Sequence, residues 1–200
     1  MSAPTSTPTR TGRLRDLGAG RGPSRLTGLP GLGIARGAFV ALAVGVALLF
    51  QTTVFPHFHW HGVGPNLVLL VVVASGLARG AHFGMVAGFA AGLLLDLAPP
   101  ADHAAGRWAL ALMAVGYVAG RVRQDAPAGV GGALAAVAAC SFLGSSIFAL
   151  TGLVLDPGVG VPDLLEVVLA GVVWDLVLAA FVVPVVLRGL AALDPSTDRS

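Results

Sequence analysis

Charge is scarce in this sequence, and lysine is absent, so that all twelve basic residues are arginine. Charged residues make up 11% and apolar residues 56% of the 200 positions, whereas a soluble domain carries about a quarter charged residues. The mean hydropathy is +0.85. This balance excludes a conventional soluble domain and predicts an integral membrane protein.

Several motifs that carry chemistry are also missing. The single cysteine, Cys140, excludes an intramolecular disulfide and any metal site built from paired cysteines. The sequence has no phosphate-binding glycine loop and no nucleophile elbow. We therefore expect no catalytic activity, no bound cofactor or metal and no nucleic acid partner.

Apolar runs separated by short polar segments fill the chain between residues 37 and 187. A helix needs about 20 apolar residues to cross a bilayer, so the second and fourth runs are short. We predict an all-α bundle of six transmembrane helices with short loops. The predicted spans are 37–55, 66–78, 82–97, 108–120, 130–155 and 164–187.

The arginines predict the orientation of this bundle. Residues 1–36 are rich in arginine, glycine, proline, serine and threonine, which predicts a disordered basic tail. If that tail is cytoplasmic, six spans place every arginine inside except Arg107. The sequence therefore predicts a multi-pass membrane domain over 37–188, a C-terminal tail over 189–200 and both termini in the cytoplasm.

A stripe of small residues runs along the third predicted helix. Gly80, Gly84, Gly88 and Gly92 recur every four residues, and Asp96 continues the spacing. Such a stripe lies on one face of a helix and allows another backbone to approach closely, which is how helices associate in lipid. We expect the third helix to pack tightly against a neighbour.

Two acids interrupt apolar runs. Asp96 is either an ordinary acid at an interfacial helix end or a fixed polar contact for a partner, which is the helix carrying Gln51 or another protein. Asp175 lies near the centre of the last span, with Ser141 and Ser145 as possible partners at similar depth. We favour a hydrogen-bonded carboxyl that specifies helix register over a proton relay.

His57, His59 and His61 alternate with Phe58 and Trp60. An extended loop would direct the three imidazoles to one side, as a zinc or copper site requires. Aromatic residues in such a loop are also typical of the membrane interface. The interfacial interpretation is favoured, and metal binding stays open as the alternative.

The order of four segments resembles the rod shape-determining protein MreD family. The segments are FQTTVFPHF, GVGPNLVLLVVVASGLARG, GMVAGFAAGLLLDLAPP and ALALMAVGYVAGRVR, and the likeness runs from about Phe50 to Arg123. Asn66 stands where the family usually has an aspartate. The residues that match the family pattern are Gln51, Pro56, Pro65, Gly88, Gly92 and Asp96.

The resemblance implies a non-catalytic subunit of the bacterial cell-elongation complex in the inner membrane, supporting cell shape and lateral peptidoglycan synthesis. Expected partners are an MreC-like bitopic protein, the MreB filament, a RodA-type glycosyltransferase and a class B transpeptidase, besides the lipid bilayer. The residues assigned to partner or packing contacts are Gly84, Gly88, Gly92, Asp96, Gln51, Pro65 and Asp175.

A six-span bundle with short loops is also similar to the substrate-binding subunits of energy-coupling-factor vitamin transporters. In that alternative, polar residues at the outer ends of the helices line a small-molecule pocket. The residues concerned are Gln51, His57, Trp60, Asn66 and Asp96. Architecture alone does not decide between the two functions.

Overall fold

The computed structural model describes residues 30–54, 64–98, 105–125, 129–155 and 161–194, and within these ranges all regular structure is helical. The predicted all-α class is confirmed. Residues 1–29, Pro56, the histidine loop at 57–61 and residues 195–200 lie outside the described part of the chain. The six helices are α1 (Pro30–Thr53), α2 (Leu67–Arg79), α3 (Ala81–Leu97), α4 (Arg107–Asp125), α5 (Val130–Leu155) and α6 (Val161–Ala192).

Three helices extend at least three residues beyond the predicted spans, and one of them is α4, which ends at Asp125 instead of residue 120. The first helix begins at Pro30, so residues 30–36, which were predicted to belong to a disordered tail, are helical. Proline suits a helix start because its fixed φ is helical and its missing N–H has no partner there. The last helix continues to Ala192, into the predicted C-terminal tail. An ion pair between Arg36 and Asp194 joins these two extensions.

Within the described ranges, three helices are long and apolar enough to cross a membrane: Gly31–Thr53 of α1, Val130–Leu155, and Leu165–Ala192 of α6. The helices α2 and α3 are apolar but shorter, with 13 and 17 residues. At about 1.5 Å per residue, α2 is roughly 20 Å long, which is less than the ~30 Å hydrocarbon core of a bilayer. Its first residues therefore need protein partners wherever they lie at membrane depth.

The second helix forms the centre of the bundle and contacts each of the other five. Its first ten residues, LVLLVVVASG, are all buried. A helix that is apolar on every side is stable only when it is surrounded, which explains the central position. A single residue, Gly80, connects α2 to α3 with φ +92°, a conformation that favours glycine.

One end of the bundle carries an ion cluster from three helices. The Asp194 carboxylate at the end of α6 pairs with Arg36 at 2.6 Å and with Arg79, the last residue of α2, at 2.8 Å. The start of α1 and the ends of α2 and α6 thus lie together. These are helix ends that the arginine pattern assigned to one side.

Candidate functional site

The glycine stripe of α3 faces α4. A Cβ atom added to Gly88 would collide with the backbone carbonyl of Leu112, and one added to Gly92 would collide with the backbone of Ala109. Gly84 meets Gly116 in the same way. The two helices form the most extensive helix pair in the fold. We call this contact the glycine seam. It is filled from within the chain, so its glycines present no free groove to another protein.

The fourth helix contributes glycines of its own, which the sequence analysis did not single out. Gly116 lies against the carbonyl group of Gly84, and Gly120 lies against Gly80 and Ala81 at the start of α3. Their spacing of four residues in ALALMAVGYVAG was the available signal. Backbones approach at this distance only where both helices carry small residues.

Asp96 lies at the end of the glycine seam and caps the next helix. Its side chain is 3% exposed. Oδ2 accepts backbone N–H bonds from Gly106 at 2.9 Å and from Ala109 at 3.0 Å, and Oδ1 accepts one from Trp108 at 3.1 Å. The first N–H groups of any helix lack partners within the helix. Asp96 supplies those partners for α4, and its negative charge suits the positive end of the helix dipole.

Asp175 makes the corresponding contact at the start of α2. Its side chain is 1% exposed. Oδ1 accepts the backbone N–H of Asn66 at 2.8 Å, and Oδ2 accepts the hydroxyl of Ser141 at 2.5 Å. Ser141 is one of the two serines expected at this depth. The link to Asn66 was not anticipated, although an asparagine directly before an apolar run is a helix-start signal.

Gln51 and Pro65 belong to this same cluster. Asn66 caps α2 by accepting the N–H of Leu69 at 2.9 Å, and Gln51 Oε1 lies 3.5 Å from the N–H of Val68, which is a long contact. Pro65 is fully buried immediately before them. The helices α1, α2, α5 and α6 therefore all contribute to one polar cluster at the start of α2.

Four side-chain nitrogens in the described structure are buried with no hydrogen-bond partner, and two of them are Nδ2 of Asn66 and Nε1 of Trp174. Asn66 bonds to Asp175 through its backbone, and Trp174 is the residue before Asp175. Buried donors of this kind are rare, because an unsatisfied N–H costs about 1–3 kcal/mol. The Asn66 side-chain amide is therefore a donor in this cluster that can still bind an acceptor.

Arg107 fixes the opposite face of α4 to the end of α5. Its guanidinium lies 4.0 Å from the centre of the Phe148 ring and donates to the Phe148 carbonyl at 2.6 Å. Trp108 stacks on the same ring at 4.2 Å. The Phe148 carbonyl lies about two turns before the end of α5 at Leu155, so Arg107 holds it by a charge-assisted hydrogen bond and a cation–π contact. The arginine that the sequence assigned to the outer side is thus partly buried in a packing contact.

The described residues hold no group of three or more His, Cys, Asp or Glu side chains that would suit a metal ion. The loop with His57, His59 and His61 lies outside them, so the hypothesis of metal binding there stays a prediction. The carboxylates of Asp96 and Asp175 accept hydrogen bonds from the starts of α4 and α2.

The part of the chain that the structure describes is all-helical, with three helices able to cross a membrane and two buried carboxylates that accept hydrogen bonds at the starts of other helices. Comparisons with protein-family models, with curated proteins and with solved structures find no match for this chain.

Proposed function

We propose that this chain is a non-catalytic, MreD-like membrane subunit of the bacterial cell-elongation complex. It supports cell shape and lateral peptidoglycan synthesis by binding other membrane proteins in the inner membrane. Its partners are an MreC-like bitopic protein, the MreB filament, a RodA-type glycosyltransferase and a class B transpeptidase. The resemblance of the ordered segments between Phe50 and Arg123 supplies the identity of this complex.

The hydrogen bonds of the two buried acids, Asp96 and Asp175, are the observation that best supports a structural role. Asp96 accepts three backbone N–H bonds, and Asp175 accepts one backbone N–H and one hydroxyl. A proton relay or a catalytic acid needs a carboxyl that faces a substrate or a second titratable group. These carboxyls face helix starts, as a scaffold protein requires.

In this proposal all six helices cross the membrane, and both termini lie in the cytoplasm. The ion cluster of Arg36, Arg79 and Asp194 supports this arrangement, because it joins helix ends that six crossings place on one side. The short α2 crosses with the help of Asp175, since that carboxylate satisfies a backbone N–H group below the outer surface.

The outward surface of α1 and α3 is our choice for the contact with a bitopic partner. These helices border an apolar groove of about 210 Å³. The residues that line this groove include the small residues Gly37, Ala41, Ala87 and Ala90. A single helix can approach closely where side chains are small, as van der Waals packing in lipid requires.

The test is copurification from native membranes in mild detergent, with identification of the recovered proteins by mass spectrometry. Ala41→Trp fills the groove between α1 and α3, and Ala139→Trp places the same bulk on an exposed position of α5. We expect the wild type and Ala139→Trp to recover the MreC-like and synthase partners. Ala41→Trp should recover several-fold less at equal expression. If none of the three recovers cell-elongation proteins, the proposal is wrong.

The vitamin-transporter alternative is favoured by one observation, the buried amide Nδ2 of Asn66 without an acceptor. A bound small molecule could supply that acceptor. The same copurification separates the two functions, because a substrate-binding subunit would recover a membrane coupling protein with its ATPases. In the transporter case Asn66→Ala would abolish ligand binding, whereas a scaffold would keep its partners.

A further inference from the structure

A second apolar groove lies on the other side of α1. It has a volume of about 510 Å³, and its lining comes from α1, α2 and α6. Phe39 and Phe50 mark its extent along α1, which is roughly 16 Å at ~1.5 Å per residue. All its lining side chains are apolar: Phe39, Leu42, Ala43, Val46, Ala47, Phe50, Leu67, Val71, Phe181, Val182, Val185 and Val186.

The same three helices carry the ion cluster at their neighbouring ends. Arg36 lies about one helical turn before Phe39 on α1. The Phe39 ring packs against Gly189 of α6, and Gly189 lies between the groove residues of α6 and Asp194 along the chain. Two guanidinium groups share one carboxylate there, so the cluster has an excess of positive charge. The Nε atoms of Arg36 and Arg79 are buried and have no hydrogen-bond partner among the described residues.

We propose that this surface is a binding site for one anionic phospholipid, with the phosphate at Arg36 and Arg79 and an acyl chain in the groove of α1, α2 and α6. The guanidinium group binds phosphate oxygens through paired N–H bonds, and it is less strongly hydrated than an ammonium group. The apolar groove then accepts the chain that enters the bilayer from that headgroup. This inference requires only a membrane setting and is independent of the cell-elongation proposal.

The chemistry of the groove and its end favours a lipid over a transmembrane helix of a partner. Helix contacts in membranes use small residues on both sides. Bulky side chains border this groove instead, among them Phe39, Phe50 and Phe181. An excess of positive charge directly beyond an apolar groove matches a molecule that is anionic at one end and apolar at the other.

The experiment measures lipid binding to the purified full-length protein in an uncharged detergent by native mass spectrometry. The probes are dioleoylphosphatidylglycerol and dioleoylphosphatidylcholine, which share acyl chains and differ in charge. We expect the wild type to retain one phosphatidylglycerol roughly tenfold more tightly than phosphatidylcholine. The double substitution Arg36→Gln with Arg79→Gln should remove that preference. A second double substitution, Arg121→Gln with Arg188→Gln, removes equal charge at exposed positions and should leave it unchanged.

Two further variants keep the test valid if the first double variant misfolds. Asp194→Asn removes the competing carboxylate and should strengthen phosphatidylglycerol binding several-fold. Ala43→Phe fills the groove and should weaken it, whereas Ala139→Phe on α5 should not. Equal binding of the two lipids by the wild type would overturn the proposal. So would a charge preference that survives the Arg36 and Arg79 substitutions, or one that is lost equally in the Arg121 and Arg188 control.

Discussion

The glycine seam and the outer side of α1 are built in opposite ways. In the seam, the backbones of α3 and α4 touch, and added Cβ atoms would collide with main-chain atoms. Along α1, by contrast, Gly31, Gly33, Gly37 and Gly45 have no foreign heavy atom within 4 Å of an added Cβ. Two apolar grooves border this helix. Glycine thus marks a close contact in one place and an open surface in the other.

The chain should tolerate substitution better along α1 than in the glycine seam. In lipid, apolar surface gains little by being buried, so helices hold together through close packing and hydrogen bonds. The glycine seam has close packing, because its glycines contact the backbone of the facing helix. It also has hydrogen bonds, because Asp96 at its end accepts backbone N–H bonds at the start of α4. The surface of α1 has neither along its grooves, which leaves it free to contact lipid or other proteins.

Substitution within the seam should have the largest effect. Gly88→Ala forces a Cβ against the carbonyl of Leu112, and helix backbone cannot yield as a flexible side chain can. We expect a loss of about 3 kcal/mol or more in the free energy of unfolding. Denaturation in mixed micelles, monitored by circular dichroism, measures it.

Gly45→Ala is the matched control, because open space surrounds its added methyl group. It should leave stability unchanged or raise it by up to about 1 kcal/mol, since alanine is the better helix former. Equal losses for the two variants would mean that the seam is no tighter than the surface of α1.

Removal of the cap at the end of the seam should come next. Asp96→Ala leaves the N–H groups of Gly106, Trp108 and Ala109 buried without an acceptor. We expect a cost of about 2–3 kcal/mol and faster amide hydrogen exchange confined to the start of α4. Asp96→Asn keeps one acceptor oxygen and should lose less. Unchanged exchange at the start of α4 would show that Asp96 does not cap it.

The sequence predicts much of this fold, because its signals are local. Apolar runs predict helices and arginines predict which helix ends lie together, since both depend on composition along the chain. The stripe from Gly80 to Asp96 likewise indicates a tightly packed face. The stripe does not predict that α4 is the helix packed against it, because small residues allow close approach by any neighbouring helix.

The hydrogen bonds of the two acids could not be predicted in the same way. Asp175 and Asn66 are separated by 109 positions in the chain, and only the packing of α6 beside α2 brings them together. Sequence reasoning placed Asp175 near Ser141 because both lie at similar depth in their spans. Asn66 marks where α2 begins along the chain, but no local signal places that start beside Asp175 of α6.

Asp175→Asn should destabilise the protein less than the loss of Asp96. The asparagine oxygen can still accept the N–H of Asn66, and Ser141 can rotate its hydroxyl to accept from the new amide. We therefore expect a loss of only about 1 kcal/mol, with the protein folded and functional. Asp175→Leu, which removes both acceptors, should lose more. Membrane levels and partner recovery measure the outcome, and complete loss of function at normal levels of Asp175→Asn would contradict a structural role.

The smallest effect should come from Arg107, which joins α4 to α5 through a side chain rather than a backbone contact. Arg107→Lys keeps a cation near the Phe148 carbonyl but loses the planar stacking on the Phe148 ring, so we expect a loss of about 0.5 kcal/mol. Arg121→Lys is the control, because Arg121 lies 5.5 Å from the Tyr117 ring on an exposed face and should cost a few tenths at most. If Arg107→Lys destabilises the protein as much as Gly88→Ala, then side-chain contacts and the glycine seam contribute equally, and the contrast between backbone and side-chain packing fails.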